Sequence, residues 1–188
     1  DEIVKKEKPG TVICHRLDTN TEGLVVFAKT KEAHEQLLEA FKNNNIHKEY
    51  LTLVYGKPAK DSAKLSHYIT EDNGYSKVLT KNVPGSKSCI TEYSLVEYNK
   101  KLNASILSVK LYTGRTHQIR VHLAEIGYPV VGDVVYSNGR NPFGVVGQML
   151  HSMKLEFVHP VTNKKIELEA PIPEYFKDVL DILDKEVE

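Results

Sequence analysis

The chain has 188 residues, 40% hydrophobic and 27% charged, and its 25 basic and 25 acidic side chains cancel. That length buries a core without disulfides or a structural metal, and the composition excludes a collagenous, disordered or disulfide-framework protein. No apolar run approaches membrane-spanning length, residues 1–8 (DEIVKKEK) do not form a secretory signal, and Cys14 and Cys89 have neither C-x-x-C nor framework spacing, so two small core thiols in a reducing cytoplasm are expected.

Along the chain, the polar segment His15 to Glu22 leads into Gly23 to Ala28 (GLVVFA), a short apolar, β-branched run that predicts a buried strand. Thr30 is placed to cap a helix over residues 31–43, with Ala33, Leu37, Ala40 and Phe41 on one face and the Asn43-Asn44-Asn45 run at its end. Tyr50 to Tyr55 predicts a strand with Leu51, Leu53 and Tyr55 opposite Tyr50, Thr52 and Val54. A lysine-rich loop containing Gly74, Pro84 and Gly85 is expected next, followed by a strand pair over 89–98 and 103–112. Thr116 is expected to open a helix with an Ile119, Leu123, Ile126 stripe that ends at Gly127. Leu150 to Val158 predicts a further strand, and Pro173 precedes a last helix whose Phe176, Val179, Leu180 and Leu183 face inward. Strands and helices alternate too irregularly for a doubly wound parallel sheet. The expectation is one domain over 1–188, an α+β fold with a mixed, mainly antiparallel sheet and flanking helices.

Charge is unevenly spread. From Asn73 to Ala124 eight basic residues (Lys77, Lys81, Lys87, Lys100, Lys101, Lys110, Arg115 and Arg120) face only Glu92 and Glu97, whereas 167–188 holds eight acids against Lys177 and Lys185. Two solvated faces would give this pattern, and so would a polyanion-binding surface in the middle of the chain.

Three polar clusters are candidates for chemistry: His15 to Gly23 (HRLDTNTEG), Lys48-Glu49-Tyr50 at a strand start, and Gly114 to His122 (GRTHQIRVH) running into a helix. Each has an ordinary structural use. Asp-Thr-Asn-Thr stabilises a turn, a strand tyrosine packs, and a polar turn caps a helix. His117 and His122, five apart, do not form an i, i+4 metal pair, and no G-x-G-x-x-G, Walker lysine loop or G-x-S-x-G elbow occurs.

Taken together and in order, the clusters resemble the RNA pseudouridine synthases, specifically the branch that acts on large-subunit ribosomal RNA and tRNA. The text that carries the resemblance is CHRLDTNTEGL at 14–24, KEYLTLVYG at 48–56, TGRTHQIRVHLA at 113–124, GYPVVGD at 127–133, LHSMKLEFVHP at 150–160 and APIP at 170–173. Such proteins commonly carry a further strand-rich segment, often behind a small S4-type RNA-binding domain, before the aspartate motif. Only 13 residues precede Cys14 here, and no S4 domain is expected within 1–188.

The resemblance implies a mainly antiparallel sheet with a central catalytic cleft, action on rRNA or tRNA stem-loops, no cofactor or metal, and no obligatory protein partner. It implies Asp18 as the catalytic aspartate, Tyr50 as the tyrosine that packs on the target uracil, and Arg120 as the basic partner of the aspartate. Arg16, in the Asp18 turn, is expected to contact RNA around a flipped base, as are His15, Arg115, Thr116, His117 and Gln118 in the same two motifs. The chemistry fits one carboxylate. Breaking the C1′–N1 bond, turning the base and joining C5 to C1′ adds no water, so the second carboxylate of a glycosidase is not required. Attack at C1′, attack on the ring and a glycal route all need that carboxylate ionised, which a neighbouring guanidinium favours. A domain that binds RNA without isomerising it is the rival expectation.

Overall fold

The structure, a computed structural model, describes residues 2–185, without the side chains of Leu180 and of 182–185. After a short helix α1 (Glu2–Glu7) come β1 (Val12–Ile13), β2 (Glu22–Gly23), β3 (Phe27–Ala28), α2 (Lys31–Lys42), β4 (His47–Tyr55), β5 (Ser62–Asp72) and β6 (Tyr75–Leu79). They are followed by β7 (Lys87–Asn99), β8 (Ala104–Leu111), α3 (Gln118–Glu125), β9 (Leu150–Val158), β10 (Lys165–Glu169) and α4 (Glu174–Lys185). The main sheet runs β10-β9-β4-β8-β7-β5-β6, antiparallel at every step, while β2 adds a parallel pairing to β9 and β1 pairs β3 separately. The sheet is therefore mixed and mainly antiparallel, with helices on its faces, as the sequence predicts.

The two-residue period of β4 divides the core. Tyr50 and Val54 join Leu107, Val109, Leu150 and the α3 residues Ile119 and Leu123 on one face. Leu51, Leu53 and Tyr55 join Met149, Phe176 and Val179 on the other, beneath α4. Burial on both faces explains why β4 reads as an almost continuous apolar run. Leu180 and Leu183 of the predicted α4 stripe lie outside the described side chains.

Helix α2 starts as predicted, with the Thr30 hydroxyl accepting from Ala33 N–H at 3.2 Å, and it buries Leu37.

Four expectations need correction. Gly23 to Ala28 is not one buried strand: it is split between β2, paired to β9, and β3, paired to β1, with Leu24 to Val26 only half-buried. The expected lysine-rich loop is largely the β5–β6 hairpin, turned at Asn73-Gly74, both in the left-handed region (φ 49° and 81°). Helix α3 begins at Gln118 rather than Thr116, because His117 holds a left-handed φ of 53° at the cap position. β10 was not expected, since its KIELE alternation exposes all but Ile166 and packs only one edge of the sheet.

Candidate active site

Asp18 is fixed by its own turn and by distant backbone. Thr21 N–H donates to Asp18 C=O at 3.0 Å, and Asn20 takes the left-handed φ of 64° that the turn needs. Buried Gln148 donates to Thr19 C=O at 2.5 Å and to the Thr21 hydroxyl at 2.9 Å. Two glycines permit this closeness. A Cβ on Gly23 (φ +115°) would meet Ser152 C=O at 2.2 Å, and one on Gly147 (φ +86°) would meet Asn20 Cβ at 2.6 Å.

Arg120, in the first turn of α3, is buried between two carboxylates. Asp133 takes it bidentately, accepting from Nε at 2.7 Å and from Nη2 at 2.9 Å, while Nη1 reaches Asp18 Oδ2 at 3.4 Å. Asp133 is itself fully buried, and its Oδ1 also accepts from Val135 and Tyr136 N–H. Burial opposes the Arg120 charge, but the hydrogen bonds and proximity of Asp133, then of Asp18, outweigh it and hold the guanidinium pKa above its ordinary value. The division of labour is asymmetric. Asp133 fixes the guanidinium, and Asp18 keeps a longer, single contact. Its Oδ1 has no hydrogen bond among the described residues.

Asp18 opens into a cavity of about 470 Å³, in the size range of small-ligand pockets. Its other walls include Leu17, Tyr50, Phe41, Leu111, Ile119 and Leu150, and its charged lining comprises Arg16, Lys42, Lys48 and Arg115. Asp18 is the one carboxylate among these lining residues. Tyr50 is buried, and its phenol pKa is pushed up to about 12, first by burial and then by the negative Asp18, against the opposing effect of nearby Ser152. At neutral pH it is therefore a flat face with an O–H donor, not a phenolate.

The remaining predicted contact residues also line the cavity, but most of their polar atoms have protein partners. His15 Nε2 accepts from Val26 N–H at 3.1 Å, and its ring lies 4.5 Å from that of Phe41. Burial, then Lys48, lowers its pKa to about 4, so the ring is neutral. The Thr116 hydroxyl donates to Glu71 at 2.8 Å. His117 Nδ1 lies 3.0 Å from the Tyr136 hydroxyl, and burial, then Arg120, lowers the pKa of this ring. Buried Gln118 spends its whole amide inside the fold: Oε1 accepts from the Thr113 hydroxyl and Arg115 N–H, and Nε2 donates to Ile90 C=O and the Thr91 hydroxyl. It shapes the 113–118 turn from within. Arg115 is tied through Nε to Ser88 C=O at 3.1 Å, and Arg16 is exposed.

The basic stretch from Lys77 to Arg120 does not form one surface. Arg120 is enclosed by acids, and Lys100 and Lys101 occupy the β7–β8 turn, at the Tyr55 end of β4 and away from the cavity. Of the four lining cations only Arg115 comes from that stretch. Asp133, which anchors Arg120, has no role in the sequence reading, although it closes the GYPVVGD text. Pairing across 13 residues, through a loop, has no periodicity to reveal it.

The cleft of this mainly antiparallel α+β sheet thus presents a single carboxylate among its lining residues, beside aromatic and apolar walls and four cationic side chains. The sequence model of the RNA pseudouridylate synthase family matches residues 2–125. An uncharacterized RNA pseudouridine synthase, YhcT, of Bacillus subtilis (strain 168) is 34% identical over 165 residues, 88% of this chain and 54% of that protein. Ribosomal large subunit pseudouridine synthase D of Blochmanniella floridana is 34% identical over 197 residues, covering 97% of this chain and 60% of its own. Human RNA pseudouridylate synthase domain containing 4 superposes with a TM-score of 0.81 over 97% of this chain and 81% of that one at 21% identity, a likeness of fold. Human RNA pseudouridylate synthase domain containing 1 gives 0.74 over 96% and 83%, at 26% identity. The chain belongs to the RNA pseudouridylate synthase family. It spans little more than half the length of the curated relatives it matches.

Proposed function

We propose that this chain isomerises a uridine of ribosomal or transfer RNA to pseudouridine in the cytoplasm, with Asp18 as the catalytic carboxylate and no cofactor. The observation that carries this reading is the cavity itself: one carboxylate among the lining residues, held from behind by Arg120, in a pocket lined by four cations. A glycosidase-like site would need a second acid, and a binding surface for phosphates alone would gain nothing from a carboxylate in its midst. The uridine leaves its stack, at a cost of about a few kcal/mol, and rests on Tyr50 with C1′ toward the free oxygen of Asp18. Arg16 and Arg115 meet the flanking phosphates, and Phe41, Leu111 and His15 exclude water around the base. The glycosidic bond breaks, the uracil turns, C5 bonds to C1′, and the proton lost from C5 passes to solvent as N1 gains one. Atoms balance without water.

The test is incubation with ribosomal and transfer RNA transcripts carrying tritium at uridine C5. Release of tritium to solvent is the expected result. Binding of these RNAs with no release from any of them would leave an RNA-binding domain without isomerase activity.

A further inference from the structure

Lys48 has no place in the chemistry above, yet it is one of the few buried charges among the described residues. It is only 9% exposed, and among the described residues no carboxylate pairs with its ammonium group and no hydrogen bond to it is made. A buried cation without a partner is costly, so buried charges are ordinarily paired. Nζ lies 6.0 Å from the centroid of the Phe41 ring, and a Cβ added at Gly114 would meet it at 3.4 Å. Phe41, Gly114 and Lys48 all line the Asp18 cavity. Burial first, then Arg115, lowers the ammonium pKa, and His15 is the neutral ring beside it.

We propose that Lys48 is a built anion site for the RNA backbone, and that it takes a phosphodiester flanking the uridine in the pocket. The geometry sets the partner. Lys48 and Tyr50 are two residues apart on one face of β4, about 7 Å along the strand. A base on Tyr50 therefore places its own sugar–phosphate, rather than a distant stretch of RNA, within reach of the ammonium. An anion between Lys48 and Arg115 also converts their mutual repulsion into two attractions. The cation is thus held unpaired in the free protein and satisfied in the complex. This inference rests on the reading of the cavity as an RNA site, and it adds a positioning residue that orients the target nucleotide.

The test compares wild type with Lys48→Met, which keeps the length of the side chain and removes its charge. The binding probe is a fluorescein-labelled pentamer of uridylate, and the affinity is followed against salt concentration. The expected result is a salt slope shallower by roughly 0.7, one single-strand phosphate contact, with a melting temperature of the RNA-free protein equal to or above wild type because an unpaired buried charge has gone. An unchanged slope overturns the proposal, whatever the melting temperature. Lys48→Gln provides the same comparison should methionine disturb folding. Failure of both variants to fold would mark the cation as part of the fold and would also overturn it. The enzymatic reading fails separately: wild type that binds RNA but releases no tritium removes the activity and leaves the slope comparison standing.

Discussion

Replacing Asp133 by Asn removes the charge that holds Arg120 from behind and leaves the size and turn geometry unchanged. Both groups are withdrawn from water, with Asp133 at 0% and Arg120 at 6% side-chain exposure, so solvent cannot compensate the loss. Breaking one partner of such a pair costs about 3–5 kcal/mol. The amide oxygen of Asn still accepts from Val135 and Tyr136 N–H, and Asp18 still offers Arg120 a longer contact, so the lower end of that range, about 3 kcal/mol, is expected. For a chain of this size each kcal/mol moves the melting temperature by roughly 2–4 °C, which gives a fall of about 6–12 °C. Arg120→Met should cost as much, since it strands Asp133. The double variant should be far less destabilised than the sum of the two, because it removes both charges. The assay is a double-mutant cycle by urea denaturation, with tritium release measured well below each melting temperature. Activity should fall severely in all three variants, since Arg120 is either absent or free to close on Asp18. Additive single effects, or an Asp133→Asn cost below about 1 kcal/mol, would refute the assignment of Asp133 as the anchor.

Acid should destabilise the fold through two buried imidazoles. Burial lowers the pKa of His15 and of His122 from 6.5 to about 4. The unfolded chain binds protons that the folded one refuses, so their contribution is complete above pH 6.5 and is lost as pH falls from there through 4. Each is worth up to roughly 3 kcal/mol at the acid end, and a urea-unfolding free energy that stays flat from pH 7 to 4.5 would contradict their burial as neutral rings. The RNA-facing surface is checked by one charge reversal at each of two exposed lysines. Lys42→Glu, at the cavity rim, should weaken RNA binding and make its salt slope shallower, whereas Lys100→Glu, at the far end of the sheet, should change either little. Equal losses at the two positions would show that only total charge matters.

What the sequence made legible follows the range of the interactions involved. Helix α2 is local: Thr30 at its cap and Leu37 on its stripe needed no tertiary information. The mainly antiparallel α+β layout was legible in the irregular order of strands and helices, whereas the grouping of Asp18, Tyr50 and Arg120 came through the resemblance, because each motif alone was compatible with a turn, a packed tyrosine or a capped helix. The β5–β6 hairpin was missed although Asn73-Gly74 is a strong turn signature, because its strands bury few apolar residues (Ile69 and Val78 among them) between lysines and serines. The basic stretch does not form one surface for a physical reason: a basic window in sequence reverses direction between β7 and β8, so its lysines scatter to opposite ends of the sheet. Asp133 and the amide of Gln118 act through partners across loops and strands, which no periodicity encodes. Lys48 could not be told from its cluster, because only the structure shows that a strand-start lysine is buried and has no counter-ion among the described residues.

The most direct test of the account is Asp18→Asn under single-turnover conditions, with tritium release and RNA affinity measured side by side. The substitution keeps the size of the side chain and a carbonyl oxygen for Arg120 Nη1, and it removes the charge that the isomerisation uses. The account predicts no detectable tritium release from RNA that the variant binds within a fewfold of the wild-type affinity. Release within a fewfold of wild type would contradict it and end the assignment of Asp18 as the catalytic carboxylate.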